Sequence, residues 1–425
     1  MALGILAPQQ LHAHQQPNTI VLLDVSPDKV GMELQIPLSE LELAFGNDVT
    51  KNTDSLIERL SPQLKDYLKA HIRPMTESQA WLVEVTQMKV EEAEQTQSGA
   101  YQEIKVYLNL FPPPGVSTRR FTLNYNVIMH QVVSHRALTS IRNDWESGKT
   151  GEQPTEAGVI MVDTKTTQIF PLEINLEKGS WLEGFKGMVS LGMQHIKEGT
   201  DHLLFLLVLL LPATLLVNGK NWGDFGGTKY GIARLLKIVT AFTVGHSVTL
   251  LIGALGWLRM PQQPVEVLIA VSILISAVHA VRPIFQGKEM YVAAGFGLVH
   301  GLAFAAVLSD LNLGAGEMAL SILGFNIGIE LMQIFVIAVT VPWLILISLT
   351  AFYKPLRITG AALAAIAAVA WLAERISGNP NAVGGFVEII SQYAPAGILI
   401  LALIALAAFG FQHVKNKKIP LETIQ

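Results

Sequence analysis

The stretch LGMQHIKEGTDHLLFLLVLLL, residues 191–211, begins as a polar segment and ends as one suited to the interior of a lipid bilayer. Its first part carries His195, Glu198, Asp201 and His202, and the remainder contains no charged residue. An ionisable side chain inside a membrane helix is costly and commonly marks a functional site. The stretch therefore predicts a membrane helix with a polar site near one end.

Further apolar segments follow, and each is close to the roughly 20 residues that cross a bilayer. Including the first, the predicted spans are 187–217, 232–257, 264–285, 290–309, 318–350, 355–375 and 394–412. The first and fifth are longer than necessary, so we expect them to tilt, break or project beyond the lipid. Residues 181–413 are therefore predicted to form an α-helical polytopic membrane bundle of about seven transmembrane helices, followed by a tail at 414–425.

Basic residues between the spans predict the orientation of the bundle. If the N-terminal region lies outside, the inner connections hold Lys220, Lys229, Arg234, Lys237, Arg282, Lys288, Lys354, Arg357, Lys415, Lys417 and Lys418, and the outer connections hold only Arg259 and Arg375. Cytoplasmic loops carry the excess of lysine and arginine. The sequence thus predicts a multi-pass protein of the inner cell membrane with an extracytoplasmic N-terminal region and a cytoplasmic C-terminus.

The region 17–180 is typical of a soluble, mainly-β domain. Its short, partly alternating segments, such as TIVLLDV and EIKVYLNLF, are separated by turn residues such as PPPG at 112–115. Leucines recur every fourth residue between Thr53 and Ala70, which indicates one helix. We expect an immunoglobulin-like β-sandwich with one helix. Residues 1–16 are either the remnant of a cleaved signal peptide or a disordered start.

Composition restricts the possible chemistry. The chain contains no cysteine, so disulfides, thiolate metal ligands and cysteine nucleophiles are excluded. No basic patch with interleaved aromatic residues occurs, which argues against nucleic acid as a partner. A metal site must therefore use histidine, carboxylate, amide or backbone oxygen.

Polar residues inside other predicted spans match the first in depth. His246 lies within FTVGHSVTL, His300 within GFGLVHGLAFA and Glu330 within GFNIGIELMQ. At about 1.5 Å per residue, all of them fall between the midplane and the outer surface. Imidazole and carboxylate suit Ni, Co, Zn or Fe(II). The residues themselves predict a shared metal site formed by His195, Asp201, His202, His246, His300 and Glu330.

A second set of residues is predicted to support this site or to line a transport path: Glu198, Thr243, Ser247, Glu266, Ser276, His279, Asn326 and Gln333. Thr243 and Ser247 lie close enough along their helix to orient the ring of His246. Glu266 stands at the outer edge of its span, where an interfacial role is expected. His279 lies nearer the cytoplasm and fits either an exit path or a core position.

The stretches GMQHIKEGTDHLLFLL, FTVGHSVTL, VEVLIAVSILI, FGLVHGLAFA and FNIGIELMQ resemble the HupE/UreJ family of membrane proteins, which are associated with hydrogenase and urease and regarded as nickel or cobalt permeases. They span roughly residues 187–335. The resemblance implies that His195, Asp201 and His202 are the leading metal residues, followed by His246, His300 and Glu330. The N-terminal region makes this chain similar to the longer proteins of the family.

Three functions compete. A transporter would carry a divalent cation, nickel or cobalt, inward through the site; the chain has no G-x-x-x-x-G-K-[ST] loop for nucleotide. An intramembrane zinc hydrolase would use histidine ligands with Asp201 or Glu330 as the base on a metal-bound water. A receptor or assembly factor would act through a protein partner of the β domain. The transporter is favoured, and its partners are the metal cation and the lipid bilayer.

Overall fold

The computed structural model describes residues 17–46, 49–95, 99–150, 153–163, 165–258, 260–310 and 313–417. The contacts of the chain divide it into two compact units, Met1–Gly184 and Phe185–Gln425. Two predictions refer in part to residues outside this description. They are the leader at residues 1–16 and, for the orientation, Arg259 and Lys418.

The first unit contains a six-stranded sheet of order β5-β6-β2-β1-β8-β9. Its strands are β1 (Thr19–Val25), β2 (Val30–Pro37), β5 (Leu82–Gln95), β6 (Gly99–Phe111), β8 (Arg136–Asp144) and β9 (Thr155–Met161). All neighbouring strands are antiparallel except β1 and β8, which pair in parallel. Alternating apolar residues of β1 and β2 face the core, where Val21, Leu23 and Leu34 are completely buried.

A four-stranded sheet of order β10-β7-β3-β4 accompanies it. Its strands are β3 (Ile72–Thr76), β4 (Gln79–Ala80), β7 (Arg120–Tyr125) and β10 (Leu172–Asn175). One hydrophobic core contains residues of both sheets, for example Leu23 of the larger and Leu123 of the smaller. The unit is rich in strands as predicted, and its immunoglobulin-like topology stays a prediction.

The first unit has two α-helices in its described part, so the prediction of one helix was wrong. The predicted helix is α2 (Leu56–His71), which buries Leu56, Leu64 and Leu68. The additional helix, α1 (Leu38–Phe45), directly follows β2 and buries Leu38, Glu40 and Leu41. Its eight residues are too few for a helical period to stand out from the preceding strand pattern. Short 3₁₀ turns cover Thr53–Ser55 and Trp145–Ser147.

The membrane unit is formed by helices and one hairpin. The elements are α3 (Trp181–Glu198), which begins just before the unit, α4 (Thr200–Leu210), β11 (Leu215–Asn218), β12 (Asn221–Phe225), α5 (Thr228–Ala254), α6 (Gln262–Val281), α7 (Glu289–Asp310), α8 (Ala315–Ser348), α9 (Tyr353–Ser377), α10 (Ala382–Ser391) and α11 (Ala394–Lys417). In the described part of the chain, five helices are long and apolar enough to cross a membrane, namely α5, α6, α8, α9 and α11. The protein is thus a multi-pass membrane protein.

The first predicted span is not one continuous helix. α3 ends at Glu198, α4 begins at Thr200, and the predicted end of the span at 217 falls in the β11–β12 hairpin. The described parts of α4 (Thr200–Leu210), α7 (Glu289–Ala305) and α10 (Ala382–Ser391) form shorter apolar helices. Because length and composition single out five helices, the count of seven spans stays a prediction.

Candidate metal site

The break between α3 and α4 lies within the stretch that carries the predicted ligands. Gly199 has an extended backbone (φ −71°, ψ 93°), and its N–H donates to the carbonyl of His195 at 3.0 Å. A Cβ atom at Gly199 would lie 2.7 Å from that carbonyl oxygen and 2.9 Å from Nδ1 of His202. Only glycine fits such a close approach. The break brings the rings of His195 and His202 together, with their centroids 4.6 Å apart.

From their spacing in the sequence, His195, Glu198 and His202 would share one face of a continuous helix, but the break separates them. His195 and Glu198 belong to α3, whereas His202 belongs to α4, so the period of 3.6 residues does not continue between them. Glu198 is exposed and accepts a hydrogen bond from Nε2 of Gln194 at 2.9 Å. The structure does not bring Glu198 into the group of histidines.

Close packing of α5 against α7 places the next two histidines. A Cβ atom at Gly245 would lie 2.1 Å from the carbonyl oxygen of Ala294, and one at Gly297 would lie 2.0 Å from that of Phe242. The two backbones therefore touch, as small residues allow at helix contacts in membranes. His246 follows Gly245 by one residue, and His300 follows Gly297 by three residues. Both histidines are completely buried.

Five predicted residues meet in two groups with metal-ligand spacing. The first group contains His195, His202 and His246, and the second contains Asp201, His202 and His300. Within each group, the ligand atoms all lie within 4.8 Å of one another. His202 belongs to both. We call these five residues the histidine cluster.

Hydrogen bonds determine which nitrogen of His202 carries a proton. Oδ1 of Asp201 lies 2.9 Å from Nδ1 of His202 and also accepts the backbone N–H of His202 at 2.8 Å. A carboxylate oxygen only accepts, so Nδ1 of a neutral His202 carries the proton and Nε2 keeps its lone pair. A carboxylate behind a histidine is the usual means of orienting a metal ligand.

The same reasoning applies to His300, whose Nε2 lies 3.1 Å from Oγ of Ser272. The single hydroxyl proton of Ser272 is directed to the carbonyl oxygen of Ile269 at 2.7 Å, so Oγ accepts from His300. Nδ1 of His300 then keeps its lone pair, and it lies 3.3 Å from Nε2 of His202. Two lone pairs thus face each other in a buried site, an arrangement that a cation between them would stabilise.

Other polar atoms beside this pair have no hydrogen-bond partner among the described residues. They are Nε2 of His195, Nδ1 and Nε2 of His246, and Oδ1 of Asn326. Asn326 lies next to His246, and its Nδ2 donates to the carbonyl of Ile322 at 2.7 Å. A buried polar atom without a partner is costly, and coordination to a metal ion would satisfy these nitrogens and this oxygen.

Glu330, which was predicted to be a ligand, is not brought into either group. Its Oε1 accepts a hydrogen bond from Oγ1 of Thr240 at 2.8 Å. Thr243 and Ser247 do not orient the ring of His246 either. Oγ1 of Thr243 donates within its own helix to the carbonyl of Val239 and lies 3.2 Å from Oε1 of Gln333. Oγ of Ser247 donates to the carbonyl of Thr243. Thr243 and Gln333 instead join α5 to α8.

The remaining predicted path residues have local structural partners. Oγ of Ser276 donates to the carbonyl of Ser272 at 2.8 Å. Nδ1 of His279 accepts the backbone N–H groups of Ile284 and Phe285, so His279 stabilises the turn after α6. Glu266 pairs with Nε of Arg375 at 2.9 Å, which links α6 to α9 at one end of the bundle.

A layer of phenylalanine rings borders one side of the histidine cluster, and sequence reasoning missed it. The rings of Phe205 and Phe242 lie 5.4 and 5.1 Å from the ring of His300, and Phe296 lies 5.8 Å from Phe205. We call Phe205, Phe242 and Phe296 the phenylalanine layer. A signal existed in the sequence, because Phe296 precedes His300 by four residues on α7 and so shares its helical face.

Asp201 is more exposed than His202 and His300. The side chain of Asp201 is 34% exposed, whereas His202 is 6% and His300 is 0% exposed. Phe205 and Phe242 are nearly completely buried, at 3% and 1%. Aromatic rings also border the cluster at His195, where Phe304 and Phe325 stack on each other and lie 4.8 and 5.3 Å from the histidine ring. Asp201 is thus the partly exposed member of its group.

Comparison with known proteins gives one match. No curated protein and no solved structure matches the chain. Residues 172–375 match the family model described as HupE / UreJ protein, a segment that contains the entire histidine cluster. This segment, which carries most of the described membrane helices, is thus similar to the HupE/UreJ family.

Proposed function

We propose that this protein transports a divalent transition-metal cation, nickel or cobalt, across the inner membrane through the histidine cluster. The observation that carries the proposal is the separation of 3.3 Å between Nε2 of His202 and Nδ1 of His300, both with free lone pairs. Metal–nitrogen bonds of about 2.0–2.1 Å place two ligand nitrogens about 3.4 Å apart around a tetrahedral ion. The match of residues 172–375 to the HupE/UreJ model supports a role in metal transport or in a process accessory to it.

The charges of the two groups suit a site that must also release its ion. The first group offers three neutral imidazoles, and the second offers one carboxylate with two imidazoles. Imidazole binds a metal ion only while it is neutral, so protonation of the histidines would favour release. Because His202 belongs to both groups, an ion that moves from one to the other keeps a protein ligand throughout.

The phenylalanine layer is the barrier in this mechanism. Phe242 precedes His246 by four residues on α5, and Phe296 precedes His300 by four residues on α7. α4 runs in the opposite direction, and there Phe205 follows His202 by three residues. All three rings therefore lie on the same side of the cluster. Apolar constrictions exclude water and ions until they widen. The ion would enter past Asp201 and leave when the rings separate.

The direction of transport follows from the orientation of the chain. We assign to the cytoplasmic side the connections that hold Lys220 in the turn of the β11–β12 hairpin, Arg282 after α6 and Lys288 before α7. The first unit would then lie outside the inner membrane, and the C-terminus would lie in the cytoplasm. Asp201 would face the outer half of the membrane, and the phenylalanine layer would face the cytoplasm.

Uptake of radioactive nickel or cobalt into proteoliposomes tests the function. We expect saturable uptake that His246→Ala abolishes, since His246 has two unpartnered nitrogens in the cluster. Lys197→Ala is the matched control, because Lys197 is exposed on α3 and is expected to leave uptake unchanged. Equal uptake by wild-type protein and His246→Ala would contradict the proposal.

The same experiment separates the runner-up functions. Tight retention of zinc without uptake would favour an intramembrane hydrolase, in which Asp201 is the remaining candidate base since Glu330 bonds to Thr240. Neither uptake nor metal binding would favour a receptor or assembly factor that acts through the first unit. Uptake remains the expected result because the cluster combines facing lone pairs with a partly exposed carboxylate.

A further inference from the structure

Helix α10 (Ala382–Ser391) of the membrane unit exposes a face of large apolar side chains. Phe386 is 62% exposed and Ile389 is 58% exposed. The same face carries the exposed residues Val383, Ile390 and Tyr393. Positions i, i+3, i+7 and i+10 lie on one side of a helix, so these side chains form one apolar stripe. The described chain leaves this stripe uncovered.

The other side of α10 is joined to α9. Asn381 caps the first turn, because its side-chain oxygen accepts the backbone N–H of Gly384 at 2.8 Å. Its Nδ2 donates to the carbonyl of Ala370 on α9, also at 2.8 Å. Gly384 is the buried residue of the helix, and a Cβ atom there would lie 2.5 Å from a carboxylate oxygen of Glu374. This close contact determines which side of α10 faces away from the bundle.

The last residue of α10 lies against the start of α4. Oγ of Ser391 donates to the carbonyl of Glu388 at 2.7 Å. It is therefore free to accept from the hydroxyl of Thr200, which lies 3.4 Å away. Thr200 is the first residue of α4 and directly precedes Asp201. The helix is thus held at both ends, beside the partly exposed member of the histidine cluster.

The position of α10 in the chain places it at a membrane surface. It connects α9 and α11, both of which are long and apolar enough to cross a membrane. Its ten residues extend about 15 Å, half of the roughly 30 Å of a hydrocarbon core, so it does not cross by itself. The end of α9 and the start of α11 therefore lie at the same surface. The ion pair of Arg375 with Glu266 near the end of α9 agrees with this, since charged side chains are costly inside lipid.

We propose that α10 is an interfacial helix whose partner is the lipid leaflet on the side of the bundle where Asp201 lies. A helix of this kind buries its apolar face about 5–10 Å into the boundary between headgroups and acyl chains. Tyr393 then lies at the level where aromatic residues are enriched in membrane proteins. α10 has no basic residue, so its insertion depends on apolar area and needs no anionic lipid. The proposal rests on the two flanking membrane helices and is independent of metal transport.

Spin labels measure this insertion directly, since the chain has no cysteine and a single introduced cysteine carries the only label. The full chain is reconstituted into phosphatidylcholine vesicles as Phe386→Cys, Ile389→Cys or Glu388→Cys. Oxygen concentrates in hydrocarbon, whereas chromium oxalate stays in water. We expect the labels at Phe386 and Ile389 to be relaxed by oxygen and shielded from chromium oxalate, at a depth of about 5–10 Å. The label at Glu388 is expected to be relaxed more strongly by chromium oxalate.

Two reference labels define the limits of the measurement. Leu399→Cys reports lipid, because Leu399 is 67% exposed on the membrane helix α11, and Glu84→Cys on β5 reports water. Relaxation by chromium oxalate at Phe386 and Ile389 equal to that at Glu84 would place the face in water and overturn the proposal. Shielding from both reagents would mean that protein, such as a second copy of the chain, covers the face, and would also overturn it. Either reporter decides alone if the other variant fails to fold.

Discussion

Nε2 of His202 lies 3.3 Å from Nδ1 of His300, although 98 residues separate the two histidines along the chain. Asp201 holds the first ring and Ser272 holds the second, each through the nitrogen that faces away from the pair. The two remaining nitrogens therefore point at each other with lone pairs. In a buried site, such an arrangement is unfavourable without a shared proton or metal ion, which is the physical basis of the proposed metal binding.

Removal of one member of the pair should weaken metal binding strongly. We expect His202→Ala to reduce affinity most, because His202 belongs to both groups of the cluster. Asp201→Asn is expected to reduce it by about 10–100-fold, the usual cost of losing a group that orients a histidine ligand. Calorimetry on the purified protein in detergent measures both values. Lys197→Ala is the control, and a similar loss in all three variants would argue against the cluster.

The phenylalanine layer should determine how tightly the cluster is sealed. Phe242→Ala removes a ring that lies 5.1 Å from His300 and 5.2 Å from Phe205, which leaves a gap in the barrier. We expect metal flux in proteoliposomes that no longer saturates with concentration, since ions then pass without the rings having to separate. The measurement is flux against external metal concentration.

Phe335→Ala is the matched control for the layer, because this ring is 55% exposed on α8 and is absent from the aromatic contacts of the cluster described above. It removes the same number of atoms without opening the bundle. Saturable flux in Phe242→Ala, with a maximum like that of wild-type protein, would show that the rings are packing residues alone.

Contact between α5 and α7 should be as important as the ligands themselves. In Gly297→Ala the new methyl group would stand 2.0 Å from the carbonyl oxygen of Phe242, so the helices must separate. Overpacking of this kind costs about 1–3 kcal/mol, and more where backbone has to move. We expect a lower thermal unfolding temperature and weaker metal binding, because His246 and His300 move apart.

Gly295→Ala provides the comparison two residues away on the same helix. A Cβ atom at Gly295 would have nothing within 4 Å, and alanine favours a helix over glycine. Its unfolding temperature is expected to equal or exceed that of wild-type protein. If both alanine variants unfold at the same temperature, the close approach at Gly297 has no energetic significance.

Much of the bundle was predictable because the length and apolarity of a membrane helix can be read directly along the sequence. Length and apolarity located the helices, and a rise of about 1.5 Å per residue placed His246 and His300 at a similar depth. The break at Gly199 was not predictable from propensity, since a single glycine costs a helix only about 1 kcal/mol. A Cβ atom at Gly199 would lie too close to the carbonyl of His195 and the ring of His202, and this need for glycine depends on the folded arrangement.

Glu330 shows the limit of reasoning from one helix at a time. Asn326 and Glu330 are four residues apart, which places them near one face of α8. Asn326 lies beside His246, whereas Glu330 bonds to Thr240 one turn and a half earlier on α5. Successive turns of crossing helices meet different partners, and only the three-dimensional packing reveals which.

The stability of the soluble unit should depend on pH through Glu103, a β6 residue that is only 2% exposed. Burial raises the pKa of its carboxyl above the ordinary value, although Oη of Tyr101 donates to it at 3.1 Å and Lys105 lies 3.8 Å away. With the folded-state pKa above the unfolded-state pKa, the folded protein binds more protons, so this contribution to stability is present at low pH and is lost as pH rises through the folded pKa.

Glu103→Gln should therefore stabilise the unit at pH 8 relative to wild-type protein, with the difference shrinking towards pH 4. Hydrogen exchange of β2 and β6 peptides in the full chain measures it, and Glu84→Gln, an exposed change on β5, is the control. A wild-type protein more protected than Glu103→Gln at pH 8 would mean that the bonds to Tyr101 and Lys105 outweigh the cost of burying the charge.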